Sequence, residues 1–192
     1  MTVVWGTNNS ETLDQTDSAT NFADTLLGLE GNDKLFGLKG DDWLKGGGGA
    51  DELHGGDGVD WADYSDSTER VQVNLITGKG AKGYAEGDTY DSIENVWGSG
   101  YHDSIWGNNA DNEIFGGGGN DSLMGGGGGD ILDGGPSFDS VTYWSSPEAV
   151  FINLAAGTAS GGDADDDTLL NIEAVGGSES VSYTHLTLPT KA

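Results

Sequence analysis

An apolar residue returns at every ninth position in two stretches of the chain, each time with polar neighbours. These residues are Leu26, Leu35, Leu44, Leu53 and Ala62 in the first stretch, and Ile105, Ile114, Leu123, Leu132 and Val141 in the second. Each is the middle residue of three that follow a six-residue, mostly glycine-rich segment. The pattern predicts short strands whose middle side chain points inward, separated by turns. A single short strand cannot bury one face alone, so we expect the turns to stack into a solenoid.

A longer repeat of 79 residues contains the shorter one, with no insertion or deletion. It relates Asp60 to Asp139 and Tyr64 to Tyr143. Apolar and polar residues alternate after each nonapeptide stretch, with the apolar ones at Val71, Val73 and Leu75 and again at Val150, Ile152 and Leu154. This alternation is typical of half-buried strands. We therefore expect the spacers to form further β coils of the same stack.

These patterns divide the chain into six segments. They are 1–17, an N-terminal cap or fragment edge; 18–63, the first nonapeptide block; 64–97, a β-rich spacer; 98–142, the second block; 143–180, a second β-rich spacer; and 181–192. The last segment has no glycine and no acid, and Ser182 stands where the 79-residue repeat predicts an acid. We interpret 181–192 as a non-native translation of a sequencing adapter, and we expect the natural protein to continue beyond it.

The sixth position of every nonapeptide is an aspartate or an asparagine. The residues are Asp24, Asp33, Asp42, Asp51, Asp60, Asp103, Asn112, Asp121, Asp130 and Asp139. One carboxylate per turn would form columns of like charge along the stack. Two carboxylates about 5 Å apart repel by roughly 3 kcal/mol at an effective dielectric near 20. Several such pairs would offset much of a typical stability of ~5–15 kcal/mol, so the columns require a bound cation.

Calcium fits these columns because it takes several oxygen ligands from carboxylates and backbone carbonyls. With two nonapeptides per coil, every second unit lies on the same side, about 4.8 Å from its neighbour. The expected pairs are Asp24 with Asp42, Asp33 with Asp51, Asp42 with Asp60, Asp103 with Asp121, Asn112 with Asp130, and Asp121 with Asp139. Glycine tolerates positive φ and can direct carbonyls inward. The expected carbonyl ligands belong to Gly28, Gly31, Gly37, Gly40, Gly46, Gly47, Gly49, Gly107, Gly116, Gly117, Gly119, Gly125, Gly126 and Gly128.

These sites predict up to about three calcium ions per block. Because ions would bind only the folded stack, we also predict a chain that is largely unfolded without calcium and ordered with it.

The composition excludes several other classes of protein. The 192 residues include 33 acidic and 7 basic ones, and the formal net charge of −26 excludes nucleic acid as a partner. The absence of cysteine excludes disulfides and thiolate metal sites. No apolar run approaches the length of a membrane span, and no hydrophobic signal peptide follows Met1. The chain contains no HExxH motif, Ser-His-Asp arrangement or phosphate-binding loop, so we expect no enzyme activity.

The nonapeptides resemble the RTX family of secreted proteins, whose calcium repeat is GGxGxDxUx, with U a large apolar residue. The segment 116–124 reads GGGGNDSLM and matches every position, and 46–54 reads GGGGADELH. The spacers resemble segments between such blocks in the C-terminal regions of serralysin-type proteases. The resemblance covers about residues 19–178. It implies an all-β, right-handed parallel β-roll (solenoid) with calcium between turns. It also implies type I secretion and folding outside the cell, with an export signal at a C-terminus that this chain lacks.

Several residues depart from the family pattern. No glycine stands at positions 19–23 before Asp24, so we expect its site to be weak. The neutral oxygen of Asn112 should weaken its pair with Asp130. Pro136 and Phe138 make the last turn of the second block irregular. We expect the spacer acids to be a solvated surface rather than ligands; they are Asp88, Asp91, Asp163, Asp165, Asp166 and Asp167. We expect the tryptophans to pack or to lie at an exposed rim, and carbohydrate binding is the less favoured interpretation; they are Trp43, Trp61, Trp97 and Trp106.

The sequence favours a calcium-binding structural repeat module of a secreted bacterial protein. Two alternatives stay open: the export-and-folding appendage of a larger secreted enzyme such as a protease or lipase, and an adhesin or surface-layer repeat. The expected partners are calcium ions and further domains of the same chain. A carbohydrate or cell-surface partner has no support in the sequence.

Overall fold

The computed structural model describes residues 3–14, 23–178 and 183–185, and within them it is built of short strands. Those of the N-terminal half are β1 (Val3–Trp5), β2 (Thr12–Asp14), β3 (Thr25–Glu30), β4 (Lys34–Lys39), β5 (Trp43–Gly48), β6 (Glu52–Asp57), β7 (Trp61–Asp63), β8 (Gln72–Asn74), β9 (Lys79–Ala81), β10 (Thr89–Asp91) and β11 (Asn95–Trp97). Those of the C-terminal half are β12 (Ser104–Trp106), β13 (Glu113–Phe115), β14 (Ser122–Met124), β15 (Ile131–Asp133), β16 (Ser140–Thr142), β17 (Phe151–Asn153), β18 (Thr158–Ser160), β19 (Thr168–Leu170), β20 (Ala174–Gly176) and β21 (Tyr183–His185). Two short 3₁₀ turns, Gly83–Ala85 and Gly162–Ala164, complete the described elements.

The strands form two sheets, and within the nonapeptide blocks successive strands alternate between them. Sheet I has the order β1-β3-β5-β7-β11-β13-β15-β19-β18-β17-β21, and sheet II has the order β2-β4-β6-β10-β9-β8-β12-β14-β16-β20. Within each block, strands two units apart pair in parallel, as Leu26 with Leu44 and Leu35 with Leu53 show. Two nonapeptides therefore make one coil. The predicted all-β roll of parallel strands is confirmed.

The core is a single row of inward-facing side chains between the two sheets. The eighth residues of the nonapeptides line it, and each is at most 1% exposed; they are Leu26, Leu35, Leu44, Leu53, Ala62, Ile105, Ile114, Leu123, Leu132 and Val141. Tyr64 and Tyr143 are the largest fully buried side chains, and they lie where each block meets its spacer. The eighth residue is thus buried in every nonapeptide, as the sequence predicts, and in most of these strands the residues on either side of it are not.

Each spacer joins the stack as a three-stranded meander rather than as a plain coil. In the first spacer β9 pairs antiparallel with both β8 and β10, and in the second β18 does so with β17 and β19. The chain reverses at Gly78 and Gly157, whose φ angles are 63° and 67°. The expectation of ordinary coils missed these reversals. As a consequence, units related by the 79-residue repeat lie in opposite sheets: β3 belongs to sheet I, whereas its equivalent β12 belongs to sheet II.

The start of the chain adds one further coil, because β1 pairs in parallel with β3 and β2 with β4. Within this coil, residues 6–14 read GTNNSETLD, with Gly6, Glu11 and buried Leu13 at the first, sixth and eighth positions. They are a degenerate nonapeptide, whereas the sequence pattern predicted only a cap or fragment edge for 1–17. The unit breaks the nine-residue register because extra residues separate it from the next one.

The last segment contributes β21, which pairs in parallel with β17. The rest of 181–192 lies outside the described residues, so its interpretation as non-native sequence stays a prediction. Residues 1–2 and 15–22 also lie outside them, and they include most of the segment before Asp24.

In the first block the strands β3–β6 are six residues long, because the pairing continues into the turn: Leu29 pairs with Gly47 and Glu30 with Gly48.

The turns require a left-handed backbone at the second and fourth positions of most units, and glycine usually occupies them. Three other residues adopt positive φ there: Leu29 at 80°, Leu38 at 70° and Ser137 at 109°. A φ near 109° is costly for any residue with a Cβ atom. Ser137 therefore holds a conformation that glycine would adopt without strain.

Replacing Ser137 with glycine is expected to stabilise the fold by about 1 kcal/mol because it removes this strain. The measurement is the free energy of unfolding in denaturant. The control is Ser122→Gly in strand β14, where φ is not positive and glycine should destabilise by about 0.5–1 kcal/mol. If Ser137→Gly loses as much stability as the control, the backbone of Ser137 is not strained.

Candidate metal centre

The acids at the sixth position of the nonapeptides are all buried. None of the ten is more than 3% exposed, and the set comprises Asp24, Asp33, Asp42, Asp51, Asp60, Asp103, Asn112, Asp121, Asp130 and Asp139. Each stands immediately before a strand, at the point where the turn closes onto the core. Buried carboxylates are rare unless they are hydrogen-bonded, paired or bound to a metal.

One oxygen of most of these acids joins neighbouring coils. The Oδ1 atom accepts a hydrogen bond of 2.7–2.8 Å from the backbone N–H of the residue 18 positions earlier. The bonds run from Asp24 to Asp42, Asp33 to Asp51, Asp42 to Asp60, Asp103 to Asp121, Asn112 to Asp130 and Asp121 to Asp139. The structure thus brings together each pair of units that the nine-residue spacing predicts to share an ion.

The acids form two series, one along each side of the roll. We call the series before the strands of sheet I the first acid column; it comprises Asp24, Asp42, Asp60, Glu94, Asn112, Asp130 and Asp167. We call the series before the strands of sheet II the second acid column; it comprises Asp33, Asp51, Asp88, Asp103, Asp121, Asp139 and Glu173. Along each column the side chain of one member accepts a hydrogen bond from the backbone N–H of the member before it, with two exceptions. The Asn112 side chain instead donates to the Glu94 carbonyl, and spacer strands separate Asp88 from Asp103.

The second oxygen of six acids is buried without a hydrogen-bond donor among the described residues. These atoms are Oδ2 of Asp33, Asp51, Asp60, Asp121, Asp130 and Asp139. An unsatisfied buried polar group costs on the order of 1–3 kcal/mol, and more when it is charged. Six of them in one small fold indicate that these oxygens bind something other than a protein donor.

In five of the six units, the unpartnered oxygen faces the glycine at the first position of its own unit. A Cβ atom on Gly116 would lie 2.5 Å from Asp121 Oδ2 and 2.8 Å from the carbonyl oxygen of Gly134. A Cβ atom on Gly28 would lie 2.7 Å from Asp33 Oδ2 and 2.5 Å from the carbonyl oxygen of Gly46. A carboxylate oxygen and a carbonyl from the next coil therefore converge where only glycine leaves space. Such a set of oxygens suits calcium.

Within the described part of the chain, no group of three or more histidine, cysteine, aspartate or glutamate side chains comes together. An ion in either acid column would therefore take most of its ligands from backbone carbonyls. Among the expected carbonyls, those of Gly28, Gly46, Gly116 and Gly125 approach the first-position glycine of the preceding coil. The carbonyls of Gly55 and Gly134 do the same, and the predicted ligand set did not include them. Both glycines stand at the first position of a nonapeptide, and this position could have identified them as ligands from the sequence.

Two spacer acids belong to the columns, and our expectation that they form a solvated surface was wrong. Asp88 and Asp167 are 1% and 2% exposed. Their Oδ1 atoms accept the backbone N–H groups of Asp51 and Asp130, each at 2.8 Å. The 79-residue repeat related them, but neither stands in a nonapeptide. Of the other spacer acids, Asp91, Asp165 and Asp166 are exposed and Asp163 is half-buried.

A tyrosine satisfies the second oxygen of these two acids. Tyr64 donates its hydroxyl to Asp88 Oδ2 at 2.7 Å, and Tyr143 donates to Asp167 Oδ2 at the same distance. Burial raises the pKa of both tyrosines well above its usual value, so both hydroxyls keep their protons. In the spacers, a tyrosine hydroxyl therefore donates to the Oδ2 atom, which has no donor in six units of the nonapeptide blocks.

Glu94 and Glu173 extend the columns in a similar way. Their carboxylates accept the backbone N–H groups of Asp60 and Asp139, each at 2.9 Å. Each lies 34 residues after the last acid of its nonapeptide block. Because 34 is not a multiple of nine, the nine-residue pattern does not predict them.

Two sixth-position residues in the second block already have donors on the oxygen that is open elsewhere. Asp103 Oδ2 accepts the backbone N–H of Ser99 at 2.5 Å, and Asn112 Oδ1 accepts that of Asn108 at 2.8 Å. The Asn112 amide also donates to the carbonyl of Glu94 at 2.6 Å. Ser99 and Asn108 occupy the second position without positive φ, whereas Gly117 and Gly126 adopt 94° and 111° there. The rotation at glycine turns this N–H away and leaves the oxygen open.

Burial raises the pKa of nine carboxyls in the columns, and neighbouring acids add to the effect in most of them. The pKa rises to about 7 for Asp60, Asp88, Asp121 and Asp130, and to about 6 for Asp51 and Asp167. For Asp33, Asp103 and Asp139 the pKa is raised for the same first reason, loss of solvent. Without a cation, these groups are therefore harder to ionise inside the fold than in the unfolded chain.

Two stacked sheets that enclose columns of buried acids beside glycine turns define a calcium-repeat β-roll. A family model described as RTX calcium-binding nonapeptide repeat (4 copies) matches residues 18–51, 27–62, 88–123, 97–132 and 106–141. These ranges cover just over half of the chain, which therefore belongs to the RTX calcium-binding nonapeptide repeat family. The family is one of structural calcium-binding repeats rather than of catalysts. No curated protein matches the chain.

No helix within the described residues is long and apolar enough to cross a membrane.

The raised pKa values predict how the metal-free fold responds to pH. The folded-state pKa of Asp121 and Asp130, about 7, lies above their unfolded value. These groups therefore contribute their full stability below the unfolded pKa, and lose it as pH rises through about 7. In chelator, the folded fraction is therefore expected to be higher at pH 5 than at pH 8, measured as the β signal in far-UV circular dichroism.

Two variants test whether the column acids cause this slope. Asp121→Asn should flatten it, whereas Asp57→Asn, at an exposed acid, removes the same charge and should leave it unchanged. A metal-free β signal that grows between pH 5 and pH 8 would contradict the account.

Proposed function

We propose that this chain is a structural module that folds by binding calcium between its coils. The observation that carries the proposal is the buried Oδ2 atom of six acids, which has no donor among the described residues. In Asp33, Asp60 and Asp121 this atom and a carbonyl of the neighbouring coil converge beside the first-position glycine of the unit. A divalent cation at that point would satisfy both oxygens. It would also neutralise part of the net charge of −26.

The open acids are the proposed ligands, together with carbonyls of the neighbouring coils. They are Asp33, Asp51 and Asp60 in the first block and Asp121, Asp130 and Asp139 in the second, which agrees with about three ions per block. Asp42 has the same glycine and carbonyl neighbours at Gly37 and is proposed as a further ligand. Asp24 stays a weak candidate because most of the preceding segment lies outside the described residues.

The bonds already made at Asp103 and Asn112 indicate that these two sites bind calcium weakly. Binding there would require Ser99 or Asn108 to withdraw its N–H from the side-chain oxygen. An open site such as that of Asp121 needs no such change. We therefore propose that the second block takes up ions first at its C-terminal units.

Coupling between binding and folding follows from the burial of these carboxylates. In the unfolded chain they are hydrated and far apart, so they offer calcium no built site. In the folded chain, ionised carboxylates without a cation would be desolvated and would repel one another. Calcium that binds only the folded state offsets both costs and stabilises it by mass action. The chain therefore works as a calcium-dependent folding switch rather than as a catalyst.

We propose that the module acts outside the cell, where calcium is plentiful, as part of a secreted protein. The resemblance to secreted RTX proteins supports this setting. The calcium dependence of folding would keep the chain unfolded before export and allow it to fold afterwards.

Calcium titration tests the proposal directly. Far-UV circular dichroism in chelator at pH 8 should show a largely unfolded chain, and added Ca²⁺ should produce a cooperative β signal. Mg²⁺ at the same concentrations should not, because it demands octahedral geometry and gives up its water reluctantly. A full β spectrum in chelator, or an equal response to Mg²⁺, would contradict the coupling of folding to calcium binding.

A glycine pair tests where calcium binds. Gly116→Ala places a methyl group 2.5 Å from Asp121 Oδ2 and 2.8 Å from the Gly134 carbonyl, so it should remove about one bound ion. It should also raise the calcium midpoint for folding. Gly100→Ala is the matched control, because its Cβ would meet nothing within 4 Å. Ion counts come from calorimetric titration of the two variants. Equal counts would show that the Asp121 oxygen does not face an ion.

A further inference from the structure

Four aromatic rings form a closed cluster on the outward face of sheet I. Trp43 stacks on Trp61 with ring centres 4.7 Å apart, and Trp61 stacks on Phe115 at 5.3 Å. Trp97 meets Phe115 at 5.4 Å and Trp43 at 5.8 Å. Trp97 is 37% exposed, whereas Trp61 is nearly covered by its neighbours. The cluster therefore buries most of its own surface and leaves its Trp97 side open to solvent.

A cleft of about 280 Å³ lies at the open side of the cluster. Its lining consists of Trp97, Phe115, Gly117, Asp133 and Gly135. Trp97, Phe115 and Asp133 stand in register on the neighbouring strands β11, β13 and β15, so their side chains share one face. Two glycines from the adjoining turns complete the cleft and leave room beside the rings. The two rings meet at 73°, which makes a corner rather than a flat platform.

The polar chemistry of the cleft favours a cation. Its one charged lining residue is Asp133, and no lysine, arginine or histidine lines it. Both hydrogen bonds recorded at Asp133 fall on Oδ1, from Asn171 Nδ2 at 2.7 Å and from the Gly135 N–H at 3.0 Å. These bonds fix the carboxylate in place. The faces of Trp and Phe rings also attract positive charge. In a chain with a net charge of −26, an anionic ligand would be repelled.

We propose that this cleft binds a quaternary ammonium group, held by the Trp97 and Phe115 rings and the Asp133 carboxylate. Such a group is large, weakly hydrated and rounded, so it fits a corner between two rings better than a flat sugar face does. The cleft lies on the outer surface of sheet I, and its two glycines directly follow Gly116 and Gly134 in the turns. Binding there needs only the folded roll and no particular number of calcium ions.

The probe is choline, compared with its neutral isostere 3,3-dimethylbutan-1-ol, on the calcium-saturated chain at constant ionic strength. Saturation-transfer NMR of the methyl protons reports binding, and a titration gives each dissociation constant. Choline is expected to bind roughly threefold to tenfold tighter than the isostere. Equal affinity for the two probes would reduce the site to an apolar cleft and overturn the proposal, as would no binding of choline. Tighter binding of methyl glucoside would indicate a saccharide site instead and would equally overturn it.

Four variants locate the site. Trp97→Leu should abolish choline binding, and Asp133→Asn, which keeps the shape of the side chain, should weaken it by roughly threefold. Trp144→Leu changes another exposed tryptophan outside the cleft, and Asp57→Asn removes a charge elsewhere. Neither control should alter choline binding. Weakening by Asp57→Asn equal to that by Asp133→Asn would assign the affinity to overall charge and overturn the proposal.

Discussion

The buried carboxylate at the sixth position of each repeat is the group on which the rest of the roll depends. Its Oδ1 atom ties neighbouring coils together through a backbone N–H, and in six units its Oδ2 atom has no donor among the described residues. The glycine at the first position is required because a Cβ atom there would collide with that oxygen. The turn glycines, the tight spacing of coils and the raised pKa values all follow from burying these acids. Under the proposed function, a cation stabilises the arrangement, and the ionised groups oppose folding without one.

The spacers solve the same problem by another means. At Asp88 and Asp167 a tyrosine hydroxyl satisfies the second oxygen, so the columns there need no ion. Both contacts recur at the 79-residue interval, together with the meander that reverses at Gly78 and Gly157. The spacers thus combine metal-independent hydrogen bonds with antiparallel pairing, and the blocks combine parallel pairing with acids open to calcium. We infer that each spacer gives the adjoining block an ordered edge onto which calcium-bound coils can stack.

Much of the fold could be predicted because the period of nine links burial to a single position. Leu44 and Leu123 are buried where the period predicts them, and the pairing of alternate units follows from two nonapeptides per coil. The meanders could not be predicted, since alternation does not tell a parallel strand from an antiparallel one. Asp88 lay outside the period and gave no sign of burial. Residues 6–14 were missed because extra residues shift their register.

The candidate site was less predictable than the fold, since the type of residue does not reveal which oxygen is already bonded. Asp103 and Asp121 have the same role in the repeat pattern, yet Ser99 donates to the Oδ2 atom of Asp103 and nothing described donates to that of Asp121. The difference depends on φ at the second position, where serine replaces glycine. The number of glycines in a unit does not show that the N–H of Ser99, at the second position, points toward the carboxylate of Asp103.

Anomalous X-ray scattering from crystals grown with calcium tests the central claim most directly, because it locates each ion independently of the refined coordinates. Calcium peaks are expected between the Oδ2 atoms of Asp33, Asp51, Asp121 and Asp130 and the carbonyls of the adjoining coils. Weaker peaks or none are expected beside Asp103 and Asn112. Peaks confined to exposed acids such as Asp57, with the column oxygens unoccupied, would contradict calcium binding between the coils.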